Sequence, residues 1–161
     1  MDTALRPAGP EDIEAIAAVW HRGWLDAHLG HVPEPIRRHR RLVDFRERVP
    51  ARLHQTTVAT IASRVVGFVM VHDDEVEQIY VAESARGGTT ANALLRHAEA
   101  EIAARFDVAW LAVVGGNERA RRFYARNGWC DAGAFDYAAE IRNGTMLVPC
   151  QRYEKHMRAE R

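Results

Sequence analysis

Lysine is almost absent from this chain. Of 161 residues, 22 are basic and 22 acidic, and every basic residue except Lys155 is an arginine, so the formal charge is zero. A neutral chain has no global field to draw it onto nucleic acid or a membrane surface. Arginine suits bidentate contacts with anions, although codon bias alone would also produce it. Cysteine is scarce as well. Cys130 and Cys150 form no C-x-x-C, which argues against a disulfide framework or zinc site and leaves buried, inert thiols as the expectation. No apolar run reaches the roughly 18 residues of a membrane span. Met1-Asp2-Thr3-Ala4-Leu5-Arg6-Pro7 carries an early acid and lacks the basic and apolar stretches of a secretion signal. The expectation is a cytoplasmic protein with no membrane or nucleic-acid partner.

What is present is ordinary globular composition, 47% apolar and 27% charged, enough for one domain over residues 1–161 with a normal core. Residues 3–6 read as a first strand. Gly9-Pro10-Glu11-Asp12 supplies a proline and two acids where a helix starts. Ile13, Ile16, Ala17, Trp20 and Trp24 then mark one face of that helix. A break at Gly30 to Pro35 precedes a second, arginine-rich helical stretch over residues 36–53. Residues 57–62 and 65–71 are β-branched runs joined at Ser63-Arg64, a hairpin pattern, and residues 76–82 are a further strand. Ala91, Leu94, Leu95, Ala98 and Ile102 mark a helix ending near Phe106, and residues 109–114 another strand. Asn117 caps a helix over residues 118–126 that Gly128 stops. Residues 129–137 and 145–153, turned at Asn143-Gly144, close the chain. The order β-α-α-β-β-β-α-β-α-β-β predicts an α/β domain. Because a helix separates strands 76–82 and 109–114, these two are expected to lie parallel through a right-handed crossover.

Chemistry enters where the strand Val76-Glu77-Gln78-Ile79-Tyr80-Val81 runs through Arg86-Gly87-Gly88-Thr89-Thr90-Ala91 into a helix. Adjacent glycines let backbone approach a ligand, and unpaired N–H groups at a helix start favour negative charge, so this junction is a candidate diphosphate cradle. It has neither the lysine of a P-loop nor the G-x-G-x-x-G spacing. A tight turn would look the same. The second segment is Asn117-Glu118-Arg119-Ala120-Arg121-Arg122-Phe123-Tyr124-Ala125-Arg126-Asn127-Gly128-Trp129, behind the strand Trp110-Leu111-Ala112-Val113-Val114.

Together with Ile79-Tyr80-Val81 and the Arg86-x-x-x-x-Ala91 loop, this segment resembles the GNAT superfamily of acyl-CoA-dependent N-acyltransferases, and the resemblance covers nearly the whole chain. It implies the GNAT fold, a mixed, mostly antiparallel sheet of about seven strands flanked by about four helices. It also implies transfer of an acetyl group from acetyl-CoA to a primary amine of a small molecule or peptide, by direct attack in a ternary complex. In the family, backbone N–H groups of the loop, here Arg86, Gly87, Gly88, Thr89, Thr90 and Ala91, hold the pyrophosphate. Ile79, Tyr80 and Val81 form the strand end along which pantetheine pairs, with the Val81 N–H facing the thioester carbonyl as an oxyanion donor. Asn117 contacts the pantetheine arm. Tyr124 sits beside the sulfur as general acid; without the resemblance, Tyr124 reads as core and Asn117 as an N-cap.

An ammonium has no lone pair, so the acceptor needs a base. Glu75 stands eleven residues before Arg86, the spacing of the catalytic glutamate in the histone-acetylating branch. Glu77 would share its face, His72 is a third candidate, and each also reads as a solvated charge at a strand end. Ala112 occupies the place where some relatives carry a glutamate. Thr89 departs from the family's glycine, and a β-branched residue tolerates positive φ poorly; its hydroxyl is expected to cap the following helix or meet a phosphate oxygen. Trp20, His21, Trp24, Asp26 and His28 border the acceptor pocket of the family and suggest an aromatic and acidic wall for a cationic amine. Trp24, His28 and Glu75 are the acceptor-binding candidates. His28-x-x-His31 near Asp26 has metal-like spacing, but no metal is expected. Arg37-Arg38-His39-Arg40-Arg41 is expected to be a solvated helix face. Two other readings remain open, a non-catalytic GNAT-like domain that binds CoA or a partner, and an RNA-associated module using the arginine run. A homodimer through the sheet edge or first helices is also open.

Overall fold

The computed structural model describes residues 2–157. In chain order the elements are β1 (Ala4–Pro7), α1 (Ile13–His28), α2 (Leu42–Arg48), β2 (Thr56–Ile61), β3 (Arg64–His72), β4 (Glu75–Val81), α3 (Thr90–Ala103), β5 (Val108–Val113), α4 (Glu118–Arg126), β6 (Cys130–Ile141) and β7 (Gly144–His156). The seven strands form one sheet in the order β1-β2-β3-β4-β5-β7-β6. Every neighbouring pair is antiparallel except β4 and β5. The expected α/β architecture, strand count and parallel pair are all present.

The sheet is covered on both faces, which is why β3 reads as an almost unbroken apolar run. On one face Val69, Val71, Leu111 and Tyr153 pack against Leu94, Leu95, Ala98 and Ile102 of α3 and Tyr124 of α4. On the other, Phe68 and Met70 meet Ile16, Ala17, Trp20 and Trp24 of α1 and Phe45 of α2. Successive β3 side chains thus feed opposite layers. The start of α1 is tied to β1 by Arg6, whose guanidinium donates to both Asp12 oxygens at 2.7 and 2.9 Å. That contact holds the Asp12 carboxyl below its usual range, offset in part by burial.

The arginine-rich stretch is not one helix. It divides into 3-10 turns at Glu34–His39 and Pro50–Gln55 around the short α2. Pro50 has no N–H to extend α2. Arg41 is extended, and its N–H donates to Asp44 Oδ2 at 2.8 Å, so the helix restarts there under a new cap. Nor is the arginine run a solvated face. Arg37, Arg38 and Arg41 are exposed, whereas Arg40 turns inward and keeps 4% of its surface.

The β2–β3 turn falls at Ala62 and Ser63, both with positive φ, one residue before the expected pair. The last hairpin reaches beyond the expected strands because Ala138, Ala139 and Ile141 pair with Leu147, Met146 and Gly144, and the two alanines carry little strand signal. Of the two expected buried thiols, Cys150 is buried and Cys130 is exposed. No helix among the described residues is long and apolar enough to cross a membrane.

Candidate active site

Beta-strands 4 and 5 pair at a single position, Glu75 opposite Trp110, next to a 3.0 Å bond from Trp110 N to Asp74 O. Beyond it they part. Ala82 N donates to Val66 O at 2.7 Å, and the antiparallel alternation from there turns the N–H and C=O of Ile79 and Val81 away from β3 and toward the gap. These strand-end groups have no ladder partner on the β5 side. On β4, Glu77 has no opposite number, since Val76 faces Val71 and Gln78 faces Met70. This bulge re-aims the strand. It brings Glu75, Glu77 and Tyr80 to one cavity wall, while Val76, Ile79 and Val81 join the α3 layer.

Two cavities meet at the gap. One, of about 550 Å³, lies over Ile79, Tyr80 and Val81, the loop residues Arg86, Gly87, Gly88 and Ala91, and Asn117 and Tyr124 of the α4 region. The other, of about 420 Å³, lies between α1, α2 and the β6–β7 hairpin and includes Trp24, His28, Glu75 and Glu77. Both are lined by His28, Glu77, Gln78, Tyr80, Ala112 and Val114, so they communicate through the sheet. The small Ala112 side chain leaves that passage open.

Gly87 takes the left-handed conformation of the loop, with φ +80, and Thr89 sits at φ −94. Threonine is therefore unstrained where the family has glycine. Its hydroxyl makes no capping bond, contrary to expectation. Neither Thr89 nor Thr90 lines the first cavity. Thr90 is buried, its hydroxyl 3.0 Å from that of Thr3, whereas the Thr89 side chain is exposed. Arg86 reaches across to α1 and donates to Asp26 at 2.8 Å, which holds that carboxyl below its usual range.

Asn117 caps α4, its side-chain oxygen accepting from Ala120 N at 3.2 Å. Tyr124 is 8% exposed and packs against Phe123, Trp129 and Tyr153. Burial pushes its phenol well above the usual range, so it stays protonated, as a proton donor must. Tyr80 is shifted the same way by burial, with Tyr124 adding to the effect. Its ring lies on the backbone of α1 at Gly23, where a Cβ would collide with Tyr80 Cδ1. That close approach explains a glycine inside a helix.

In the second cavity Glu75 is 9% exposed and accepts a 2.6 Å bond from the Tyr137 hydroxyl. Burial raises its carboxyl above the usual range, and the Tyr137 bond opposes the shift. Glu77 is engaged by Arg52 at 2.7 Å and by Gln55 at 3.3 Å. His72, the third candidate, has a side chain 62% exposed beside Asp73, and it lines neither cavity. His28 donates from Nδ1 to Trp24 O at 2.9 Å and stacks on the Trp24 ring. Burial pulls it down to about 4, so it is neutral with Nε2 as an acceptor. The His28, His31 and Asp26 spacing yields no cluster of three metal-ligating side chains among the described residues. Sequence reasoning missed Arg119 and Arg126 beside the first cavity, and Arg40, Arg48, Arg52, Tyr137 and Glu140 in the second. Arg119 and Arg126 lie in the helix motif, and Arg40, Arg48 and Arg52 in the arginine-rich stretch, but only the fold shows which of these arginines turn inward.

A mostly antiparallel sheet thus splits at its one parallel pair, with a glycine loop at the mouth of the split. The sequence model of the GNAT acetyltransferase family matches residues 16–129, and the chain belongs to that family. No curated protein sequence matches it. Among solved structures it is similar to a GCN5-related N-acetyltransferase from Rhodopseudomonas palustris, with TM-score 0.76, 22% identity, and 97% of this chain and 96% of that one covered. It is also similar to PaiA N-acetyltransferase from Thermoplasma acidophilum, solved with coenzyme A, with TM-score 0.71, 18% identity and coverage of 97% and 99%. A third likeness is yncA from Salmonella typhimurium, solved with acetyl-CoA, with TM-score 0.73, 17% identity and coverage of 100% and 97%.

Proposed function

We propose that this protein is an N-acetyltransferase that moves the acetyl group of acetyl-CoA directly onto a primary amine within a ternary complex. The observation that carries the reading is the gap between β4 and β5, where free backbone groups of Ile79 and Val81 face one cavity while Glu75 faces the other. The larger cavity is the donor site in this reading. Its loop from Arg86 to Ala91 and the N-terminus of α3 receive the diphosphate, with Arg119 and Arg126 as further cations at its wall. Pantetheine adds to the edge of β4 as an extra strand. The N–H of Val81 stabilises negative charge developing on the thioester oxygen.

The smaller cavity is the acceptor site. Glu75, held by Tyr137, takes a proton from the ammonium, directly or through water. The freed lone pair attacks the thioester carbon, a C–N bond forms and the C–S bond breaks. Tyr124 then donates its phenolic proton to the departing sulfur and recovers one from the product side, so the amide, free CoA thiol and one released proton balance the reaction. Glu77, tied to Arg52, serves as the second carboxylate of the wall. Because both substrates occupy communicating cavities, no acyl-enzyme is needed.

The unstrained backbone at Thr89 removes the conformational objection to a working donor site. The test is thermal unfolding with acetyl-CoA. Saturation at about 100-fold over Kd adds about 2.7 kcal/mol, or roughly 5–10 °C at this size. A flat melting temperature at millimolar acetyl-CoA, or no thiol release across a broad panel of amines, sinks the proposal.

A further inference from the structure

The acceptor cavity contains more fixed positive charge than its own carboxylates engage. Arg40, Arg48 and Arg52 line it together with Glu75, Glu77 and Glu140. Arg52 is closed off, at 2.7 Å from Glu77 and 2.7 Å from Glu140. Glu75 is bound to the Tyr137 hydroxyl instead of to any guanidinium.

Two arginines remain. Arg40 is 4% exposed, its side chain bonds only the carbonyl of its neighbour His39, at 3.0 Å, and no carboxylate among the described residues lies within ion-pairing distance of it. Arg48 has a 12% exposed side chain with Nε 3.3 Å from Glu140 Oε1, yet the alignment is not that of a hydrogen bond and Nε is left without a partner. Both are held by their faces. The Arg48 guanidinium lies 4.4 Å from the Trp20 ring centroid, and that of Arg40 6.0 Å from Trp24. Stacking occupies the planar faces and leaves N–H edges unspent, and each guanidinium has five such donors.

Arg40 is thus buried without an ion-pair partner among the described residues, and Arg48 shares Glu140 with Arg52; positive charge so thinly matched is expensive to bury, and native folds rarely keep it without a use. Burial and mutual repulsion pull Arg48 down to about 10 and lower Arg40 as well. Both remain cations at neutral pH. Resting on the acetyltransferase reading above, we propose that Arg40 and Arg48 form an anion subsite, and that the acceptor is a small zwitterion whose amine is acetylated while its carboxylate binds these two guanidiniums. The charge count favours a carboxylate. With Arg52 and the two glutamates it touches taken together, the three arginines leave one positive charge, which a monoanion neutralises and a dianionic phosphonate overshoots. The ammonium end then belongs beside Glu75, since Asp26, the acid expected in the acceptor wall, is bound to Arg86 and lines neither cavity.

The experiment is thiol release from acetyl-CoA with the common amino acids, each set against its amide, its decarboxylated amine and its aminophosphonate. At least one amino acid is expected to exceed its amide and amine by about 100-fold in kcat/KM, the scale for a buried charge pair losing a partner. In Arg40→Met that ratio collapses to within about 3-fold. In Arg40→Lys, which keeps the charge should the methionine variant misfold, it falls about 10-fold because a point charge replaces a fork. Arg40→Met also melts no lower than the wild type without ligand, whereas an arginine kept for structure would cost stability on removal. The proposal is overturned if amides or plain amines react as well as acids, if aminophosphonates react better, or if Arg40→Met slows acid and amide equally. Should no amine release thiol, calorimetry of the same amino acids on the CoA-bound protein separates the two ideas. Acid-selective binding lost in Arg40→Met keeps the anion subsite and refutes acetyl transfer; no binding refutes the subsite.

Discussion

The two cavities that meet at the gap are built from different material. The cavity proposed for the donor draws its polar groups chiefly from backbone, at the edge of β4, the turn at Gly87 and the first N–H groups of α3. The acceptor side is made of side chains from α1, the 3-10 turns, α2, β4 and the β6–β7 hairpin. Backbone geometry survives almost any change of sequence that keeps the fold, and structures at 17–22% identity share this fold. A wall of side chains changes with each substitution. One scaffold can therefore keep its donor and exchange its acceptor.

The largest effect that would break this division is expected at Tyr124, a side chain at the edge of the proposed donor site. Tyr124→Phe is predicted to lower kcat by about 10²- to 10⁴-fold, the range for a well-placed acid. It leaves the melting shift with acetyl-CoA in place, since in the proposed donor site β4 and not Tyr124 holds the pantetheine. An unchanged rate would return Tyr124 to a packing role among Phe123, Trp129 and Tyr153.

Next comes Glu75, where activity and stability should move in opposite directions. Glu75→Gln is predicted to cut kcat by about 100-fold at pH 7 and to raise the melting temperature. The sign follows from the upward shift that burial causes. A carboxyl raised in the folded state contributes full stability below its unfolded value and loses that contribution as pH rises through the folded value. Once pH passes the raised value, the ionised Glu75 therefore weakens the fold, and in the proposed mechanism it is then the base. The wild-type rate climbs as pH passes through the raised value, and Tyr137→Phe moves that limb to higher pH by removing the bond that opposes the shift. A limb that stays in place in Tyr137→Phe would assign the base elsewhere.

The contrast in materials also explains how far the residues alone could be read. Element order, the parallel pair and the donor loop follow from local signals: β-branched runs, the α3 face of Leu94, Leu95, Ala98 and Ile102, and the Asn117 cap. The acceptor wall depends on which distant side chains converge. Tyr137 meets Glu75 across 62 positions, and nothing in either neighbourhood announces it. Arg40 sat in a run that looked solvated because its neighbours are, and only the 3-10 turn that interrupts helical periodicity sends it inward. The split of residues 36–53 at Arg41 and Pro50 was signalled by proline but not by the Asp44 cap.

A smaller effect is expected where the two sides touch. Tyr80 lines both cavities and rests on Gly23. In Gly23→Ala the new methyl overpacks that ring at about 1–3 kcal/mol, while helix propensity returns about 1 kcal/mol. The net loss of about 0–2 kcal/mol should appear in chemical denaturation, with KM for acetyl-CoA and for the amine both rising. If only one KM moves, Tyr80 belongs to that cavity alone.

Smallest of all is Thr89→Gly, which restores the family's residue. If threonine kept a ligand away, glycine would tighten binding. The structure gives the opposite sense: at φ −94 Thr89 is unstrained and lies outside the cavity lining, so its Cβ obstructs nothing. Glycine adds only freedom to the unfolded chain, worth less than about 1 kcal/mol of stability. The dissociation constant for CoA, measured calorimetrically, is predicted to change by less than about 3-fold, on the scale where 1.4 kcal/mol is tenfold. A 10-fold tightening would mean that the Thr89 side chain, and not backbone alone, shapes the donor cradle, and the contrast between the two cavities would lose its clearest support.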